Sequence, residues 1–352
     1  MRHAWILLVP IVVLAAAPAD AQRPGPVLHE VIPPDPREDV ALSVPLDGEL
    51  HAAIDTPRGP IAAPDPNKPP QAQGEAPYSN SPRDGIPDST FDPDRHTQRP
   101  DVLPYDDPFS PSTAPFKRLS AFDRVDASYT LSVRDPSTRP LAISASPPPD
   151  PSEEKFYADM VVDLGAGQHV KIPSVGPDAR VLAARAGVGT QDVRFRLYRD
   201  GADNWFIESE VSTRARVVME LAIRRAAFGG DFGNPSWAEM LPVPPLPPKV
   251  TRSATEVAAR IGVSRRMSPR DVVAKLVSYF RGFSESDEPP AQTTDIYLDL
   301  ALSKKGVCRH RAFAFLVTAL YLGLPTRMIV NEAHAWVEVY DGHMWRRIDL
   351  GG

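Results

Sequence analysis

From Ala312 to Leu322 the chain reads AFAFLVTALYL, apolar almost all round. A helix without a polar face must be buried on every side, so the domain that holds it is built around it. Just upstream stand Gly306 and Cys308, the latter the only cysteine in 352 residues. Glycine permits a tight approach of the backbone. A cysteine at a helix start meets the positive end of the dipole, which favours thiolate. Taken alone, Cys308 also reads as a buried, inert thiol. A lone cysteine with a histidine and an acid further on is a candidate nucleophile, base and orienter.

The partners are sought by register. Ala335, Val337 and Val339 alternate with His334, Trp336, Glu338 and Tyr340, which is strand periodicity. Asp341-Gly342 predicts a two-residue type I′ turn pairing Tyr340 with His343. That register sets His334 directly opposite Asp349 on one face, with Cβ atoms roughly 5 Å apart. A slip of one residue would send Asp349 to the other face. The pairing argues against an inert thiol. Trp336 on the His334 face reads as a shield against water or as a plain packing aromatic. Glu338, Trp345 and Arg347 share that face with no chemistry assigned. Arg309, His310 and Arg311 suit an adjacent anion or form an ordinary solvated first turn, and for His310 the solvated turn is preferred.

G-x-C at a helix start, L-G-L-P-T-R at 322–327, H-A-W-V-E-V-Y at 334–340 and W-x-x-x-D at 345–349 follow one another in order. Over about the last hundred residues this resembles the transglutaminase-like superfamily of papain-type thiol enzymes. The resemblance implies a triad of Cys308, His334 and Asp349. It also implies acyl transfer through a thioester on protein or peptide carboxamides. Crosslinking, deamidation and proteolysis share that thioester and are not separated. The link between Arg327 and the His334 strand is short for the family, and the usual Asp-Pro-Thr is here Asp349-Leu350-Gly351. The alternatives are a catalytically silent scaffold of the same fold, kept for binding, or an interaction protein worked by its upstream regions. No calcium-loop pattern is present, so no cofactor is expected.

The net charge of -6 argues against nucleic acid as the default partner. One cysteine excludes an intramolecular disulfide and a cysteine-rich zinc site. Residues 1–21 carry Arg2 and His3, an apolar core from Trp5 to Ala16, and Ala19-Asp20-Ala21 as a cleavage site. They read as a secretory signal, so a secreted or periplasmic protein without stable membrane insertion is expected; an uncleaved anchor is the alternative. Residues 22–115 hold 21 of the chain's 41 prolines, and seven basic against sixteen acidic residues. Such a segment buries too little surface to offset its ordering entropy, and it reads as a disordered spacer, or else a prosegment or partner-binding tail.

Residues 116–242 show short alternating runs separated by turn residues such as Gly165-Ala166-Gly167 and Asp200-Gly201. They predict strands at 128–133, 156–164, 169–172, 180–186, 193–198, 204–209 and 214–223, and a sandwich-like all-β domain. Asp203, Asn204 and Trp205 read as a turn before a core aromatic, or as a carbohydrate or metal loop. PVPPLPP at 242–248 falls in an expected stiff hinge over 243–250. In 251–352 the pattern turns α+β. Ser253 with Glu256 predicts a capping box. Ser268-Pro269 opens a second helix, a polar stretch at 284–293 is placed at the rim, and a short helix starts near Thr294. The fold class expected is multidomain: a β-sandwich-like unit, then a transglutaminase/papain-like core, behind a disordered Pro-rich tail.

Overall fold

The structure, a computed structural model, describes residues 117–227, 232–284, 295–331 and 334–351, with short strands at Ala53–Thr56, Gly59–Ala62, Thr90–Phe91 and Tyr105–Asp106. The expected signal, most of the expected tail and the polar rim after Ser284 lie outside the described residues.

From residue 117 onward the strands are β1 (Ser120–Phe122), β2 (Arg124–Val125), β3 (Leu131–Ser132), β4 (Arg139–Leu141), β5 (Glu153–Leu164), β6 (Val170–Ile172) and β7 (Arg180–Val188). They continue as β8 (Gln191–Asp192), β9 (Phe195–Arg199), β10 (Trp205–Ser209) and β11 (Thr213–Arg224). After the helices come β12 (Thr326–Val330), β13 (Ala335–Tyr340) and β14 (Trp345–Ile348). Two antiparallel sheets form first, one in the order β8-β7-β11-β5 with the short strand Tyr105–Asp106 beside β5, the other in the order β6-β10-β9-β4. Their side chains meet in one core: Met160, Val162 and Leu164 from β5 and Val217, Met219 and Leu221 from β11 join Ile172, Leu197, Trp205 and Ile207. In β10 buried and half-buried residues alternate, the pattern of a strand with one covered face. Trp205 is a core aromatic, as one of the two readings had it. Asn204 bonds both the N–H and the C=O of Ala121, tying this unit to β1.

The C-terminal part is a sheet in the order β14-β13-β12-β1 packed against four helices: α1 (Pro248–Ile261), α2 (Pro269–Arg281), α3 (Ile296–Ser303) and α4 (Cys308–Tyr321). Every residue of α4 from Arg311 to Leu320 is buried, as an all-round apolar helix must be. Thr318 is accommodated by donating to the Ala314 carbonyl at 2.8 Å. Ser268 caps α2 by accepting from Asp271 N–H at 3.1 Å, with Pro269 first in the helix. The capping box expected at Ser253 is not formed. The last proline of the 242–248 run is the first residue of α1, where a missing N–H costs nothing, so Ser253 lies inside the helix. Its hydroxyl donates to buried Asp295, the cap of α3. The sheet also crosses the boundary placed near residue 242, because β1 pairs Phe122 with Met328 and Ser120 with Val330.

Side chains on the far face of β12 and β13 meet the upstream sheets through charge. Glu338 is fully buried between two guanidinium groups: Arg118 bonds it at 2.8 and 3.1 Å, and Arg327 at 2.5 Å. Arg118 also holds Ser174 at 2.7 Å and Asp203 at 3.3 Å. Removing one member of such a cluster leaves uncompensated buried charge, which costs about 3–5 kcal/mol. Glu338→Ala is therefore expected to lower the unfolding free energy in urea by about that amount. A loss within the range of surface substitutions would show that Arg118 and Arg327 find water instead.

Candidate active site

Cys308 is the first residue of α4, as the sequence predicts for a thiol at a helix start. Gly306 before it has φ +139°, and a Cβ there would sit 2.6 Å from the His310 side chain, so the approach requires glycine. Val307 N–H donates to His310 Nδ1 at 3.2 Å, giving His310 a local capping role. Arg311 is not a solvated first-turn residue. It is buried, and its guanidinium donates to the carbonyls of Gly306 (3.3 Å), Phe283 (2.8 Å) and Leu350 (2.9 Å).

The hairpin register differs from the expected one. Tyr340 pairs with Trp345 and Val337 with Ile348, two residues away from a two-residue turn. The cause is Asp341: its carboxylate accepts from the N–H groups of His343 (2.9 Å) and Met344 (2.8 Å) and pairs with Arg346. The turn therefore opens into a four-residue loop. A shift of two keeps every side chain on its face. His334 and Asp349 lie just beyond the paired residues as diagonal rather than direct neighbours, and the imidazole still spans the gap. His334 Nε2 is 3.0 Å from each Asp349 oxygen. Cys308 is close enough to the ring that each group shifts the other's titration. All three side chains named from the sequence are thus brought together.

Asp349 is 1% exposed and well supported. Its oxygens accept from Gly351 N–H at 3.0 Å and from Arg347 Nη2 at 3.2 Å. Its carbonyl accepts twice from Arg281 of α2, at 2.9 and 2.8 Å. Trp336 stacks on the His334 ring at 6.1 Å between centroids, and the Arg347 guanidinium lies over Trp336 at 4.1 Å. Sequence reasoning did not single out Arg281, placed Arg347 on the His334 face without a role, and read Arg311 as suiting an anion or as solvated, not as a clasp on main-chain carbonyls. Each is a basic residue in an amphipathic or alternating segment, and nothing local distinguishes it from a solvated one.

The electrostatics follow from these contacts. Burial alone would raise the Cys308 pKa, but the hydrogen bond and charge of His334, with the N–H groups of Ala335 and Arg309, carry it below the ordinary thiol value. Burial opposes the charge on His334, yet Asp349 and Cys308 outweigh it and push its pKa up to about 10. Burial likewise opposes ionised Asp349, and His334, Arg347 and the Gly351 N–H hold it well below the usual carboxylate range. The arrangement favours a thiolate and an imidazolium side by side, with a carboxylate behind the ring. Among the described residues no group of three or more His, Cys, Asp and Glu side chains is placed to hold a metal ion, and no helix is long and apolar enough to cross a membrane.

Residues 255–350 match the sequence profile of the transglutaminase-like superfamily. No curated protein sequence matches the chain. Among solved structures it is similar to the periplasmic domain of TgpA from Pseudomonas aeruginosa. With ethylmercury bound, that structure shows 17% identity and a TM-score of 0.38, over 67% of this chain and 83% of that one. A second structure of the same domain gives 17% identity and a TM-score of 0.36, over 67% and 81%. The C-terminal part of this chain, residues 255–350, is a member of the transglutaminase-like superfamily.

Proposed function

We propose that this protein is a thiol acyltransferase or hydrolase acting on protein or peptide carboxamides outside the cytoplasm, with Cys308 as nucleophile, His334 as base and acid, and Asp349 as orienter. The observation that carries the reading is His334 bonded to buried Asp349 and coupled electrostatically to Cys308 at the start of a buried helix. A buried thiol kept for packing has no need of an imidazole on one side and a carboxylate behind it.

The chemistry runs as follows. The Cys308 thiolate attacks the carbonyl carbon and forms the C–S bond. The oxyanion is met by backbone N–H groups at the start of α4, each good donor lowering the barrier by about 3 kcal/mol. His334 gives its proton to the departing amine or ammonia as the C–N bond breaks, leaving a thioester. A second amine or water, deprotonated by His334, then breaks the thioester and restores the thiol. Asp349 keeps the ring in the orientation that presents one nitrogen to sulfur. The signal-like segment 1–21 supports a reaction beyond the cytoplasmic membrane, where a single unpaired cysteine is exposed to oxidants and its retention calls for a use.

Alkylation rates test this directly. Cys308 should react with iodoacetamide well below the pH at which a free cysteine, of pKa about 8.5, becomes reactive. Negatively charged iodoacetate should be favoured over iodoacetamide while His334 is protonated, and that preference should fade toward pH 10. Mass analysis after incubation with glutamine-containing peptides should find an acyl adduct on Cys308. An alkylation profile like that of free cysteine, with no adduct, would mean that the fold serves only as a binding scaffold.

A further inference from the structure

We propose that Arg347 is a positioning residue that sets how firmly His334 holds its proton, by taking part of the Asp349 charge. This rests on the thiol-enzyme reading of the site and assigns a role to a residue that reading does not use. Arg347 is 2% exposed, and its guanidinium has two contacts at the site. Nη2 donates to Asp349 Oδ2 at 3.2 Å, the same oxygen that lies 3.0 Å from His334 Nε2. Its plane covers Trp336 at 4.1 Å, and Trp336 in turn stacks on His334. The carboxylate is thus divided between two cations, one fixed and one that must gain and lose a proton in each cycle. A carboxylate serving the imidazole alone would hold the proton more tightly and slow its delivery to the leaving amine. Arg347 limits that hold, and the Trp336 sandwich keeps both cations in register.

The other charged groups around the carboxylate leave this role to Arg347. Cys308, from α4, acts on the His334 ring and is not among the groups that set the Asp349 charge. Glu338, the cross-strand partner of Arg347, is already held by Arg118 and Arg327. Arg281 from α2 and Arg311 from α4 bond the carbonyls of Asp349 and Leu350, not the carboxylate.

The test uses the full chain and the ratio of iodoacetate to iodoacetamide rates at Cys308 as a function of pH, because that ratio follows the imidazolium. Arg347→Gln keeps a hydrogen-bond donor near Asp349 and removes the charge. It should move the alkaline limb upward by at least half a pH unit and slow acyl transfer several-fold. Arg347→Lys restores the charge without the planar stack and should return the limb to the parent position, whatever it does to thermal stability. A merely structural role would lower stability in both variants and leave the limb in place. An unmoved or lowered limb in folded Arg347→Gln overturns the proposal, as does a lysine variant that stays at the glutamine value. Should Arg347→Gln not fold, Arg347→Lys read alone must keep the parent limb, and displacement of it overturns the proposal. A parent protein with no charge preference at any pH would instead count against the thiol-enzyme reading itself.

Discussion

Asp349→Asn is expected to leave the protein folded and to lower turnover by roughly three to four orders of magnitude. The amide is close in size to the carboxylate and leaves untouched the two Arg281 bonds, which go to the main-chain carbonyl. What it loses is charge. An amide does not offset the imidazolium, and its NH2 end stabilises the ring tautomer with the wrong nitrogen protonated. Thiol reactivity should follow: with less imidazolium beside it, Cys308 needs higher pH to form thiolate, so the acid limb of alkylation moves up. Stability carries a second signature. Asp349 has a depressed pKa, so its contribution is present above about pH 4 and lost as pH falls further. His334 has a raised pKa, so its contribution is complete below about pH 6.5 and lost as pH rises through about 10. The stability gap between parent and Asp349→Asn should therefore be widest between about pH 4 and 6.5 and should narrow above pH 10, where Arg347 and the Gly351 N–H still favour the carboxylate. An unchanged acid limb with unchanged turnover would reduce Asp349 to a buried structural carboxylate.

Cys308→Ala is expected to abolish both alkylation and acyl-adduct formation outright, since the chain has no other thiol. Mass spectrometry gives this as presence or absence, so residual labelling from another nucleophile would be seen at once. The same variant separates the thiolate from its surroundings. His334 owes part of its raised pKa to the Cys308 sulfur, so in Cys308→Ala it should titrate lower, though still above an ordinary histidine because Asp349 remains. NMR titration of the His334 ring reads this. A ring that titrates unchanged after loss of the sulfur would show that the two side chains do not communicate, and the thiolate–imidazolium pair would fail with it.

The site was legible in the sequence to a different depth at each residue. Cys308 followed from being alone at the start of an apolar helix, a local signal. His334 and Asp349 followed from strand alternation across a turn. There the reading succeeded although the register was off by two, because the pleat conserves the face under even shifts. The error came from Asp341, whose side chain accepts two backbone N–H groups and replaces the expected turn with a longer loop. The three arginines around the acid were out of reach. Arg311 bonds carbonyls 28 and 39 positions away, and Arg281 one at a separation of 68. The same limit hid Arg118, which meets Glu338 across 220 positions. Strand β1, three residues long, has too short a pattern to show that it completes the C-terminal sheet. A helix start with local chemistry, Ser268-Pro269, was read correctly because the cap lies within one turn of the residues it bonds.

The grip of Arg281 and Arg311 on the carbonyls of Asp349 and Leu350 bears on how the site is lost on heating. A segment at the end of a strand would ordinarily open and close on its own, long before the rest of the molecule. Here it is tied to α2 and α4, two of the helices at the centre of the hydrophobic core, by arginine side chains of those helices that bond its main-chain carbonyls. Detaching the acid from the histidine then requires a fluctuation that also disturbs those helices. Thermal inactivation has no early, local route, and activity should survive up to the cooperative melting of the core and disappear with it.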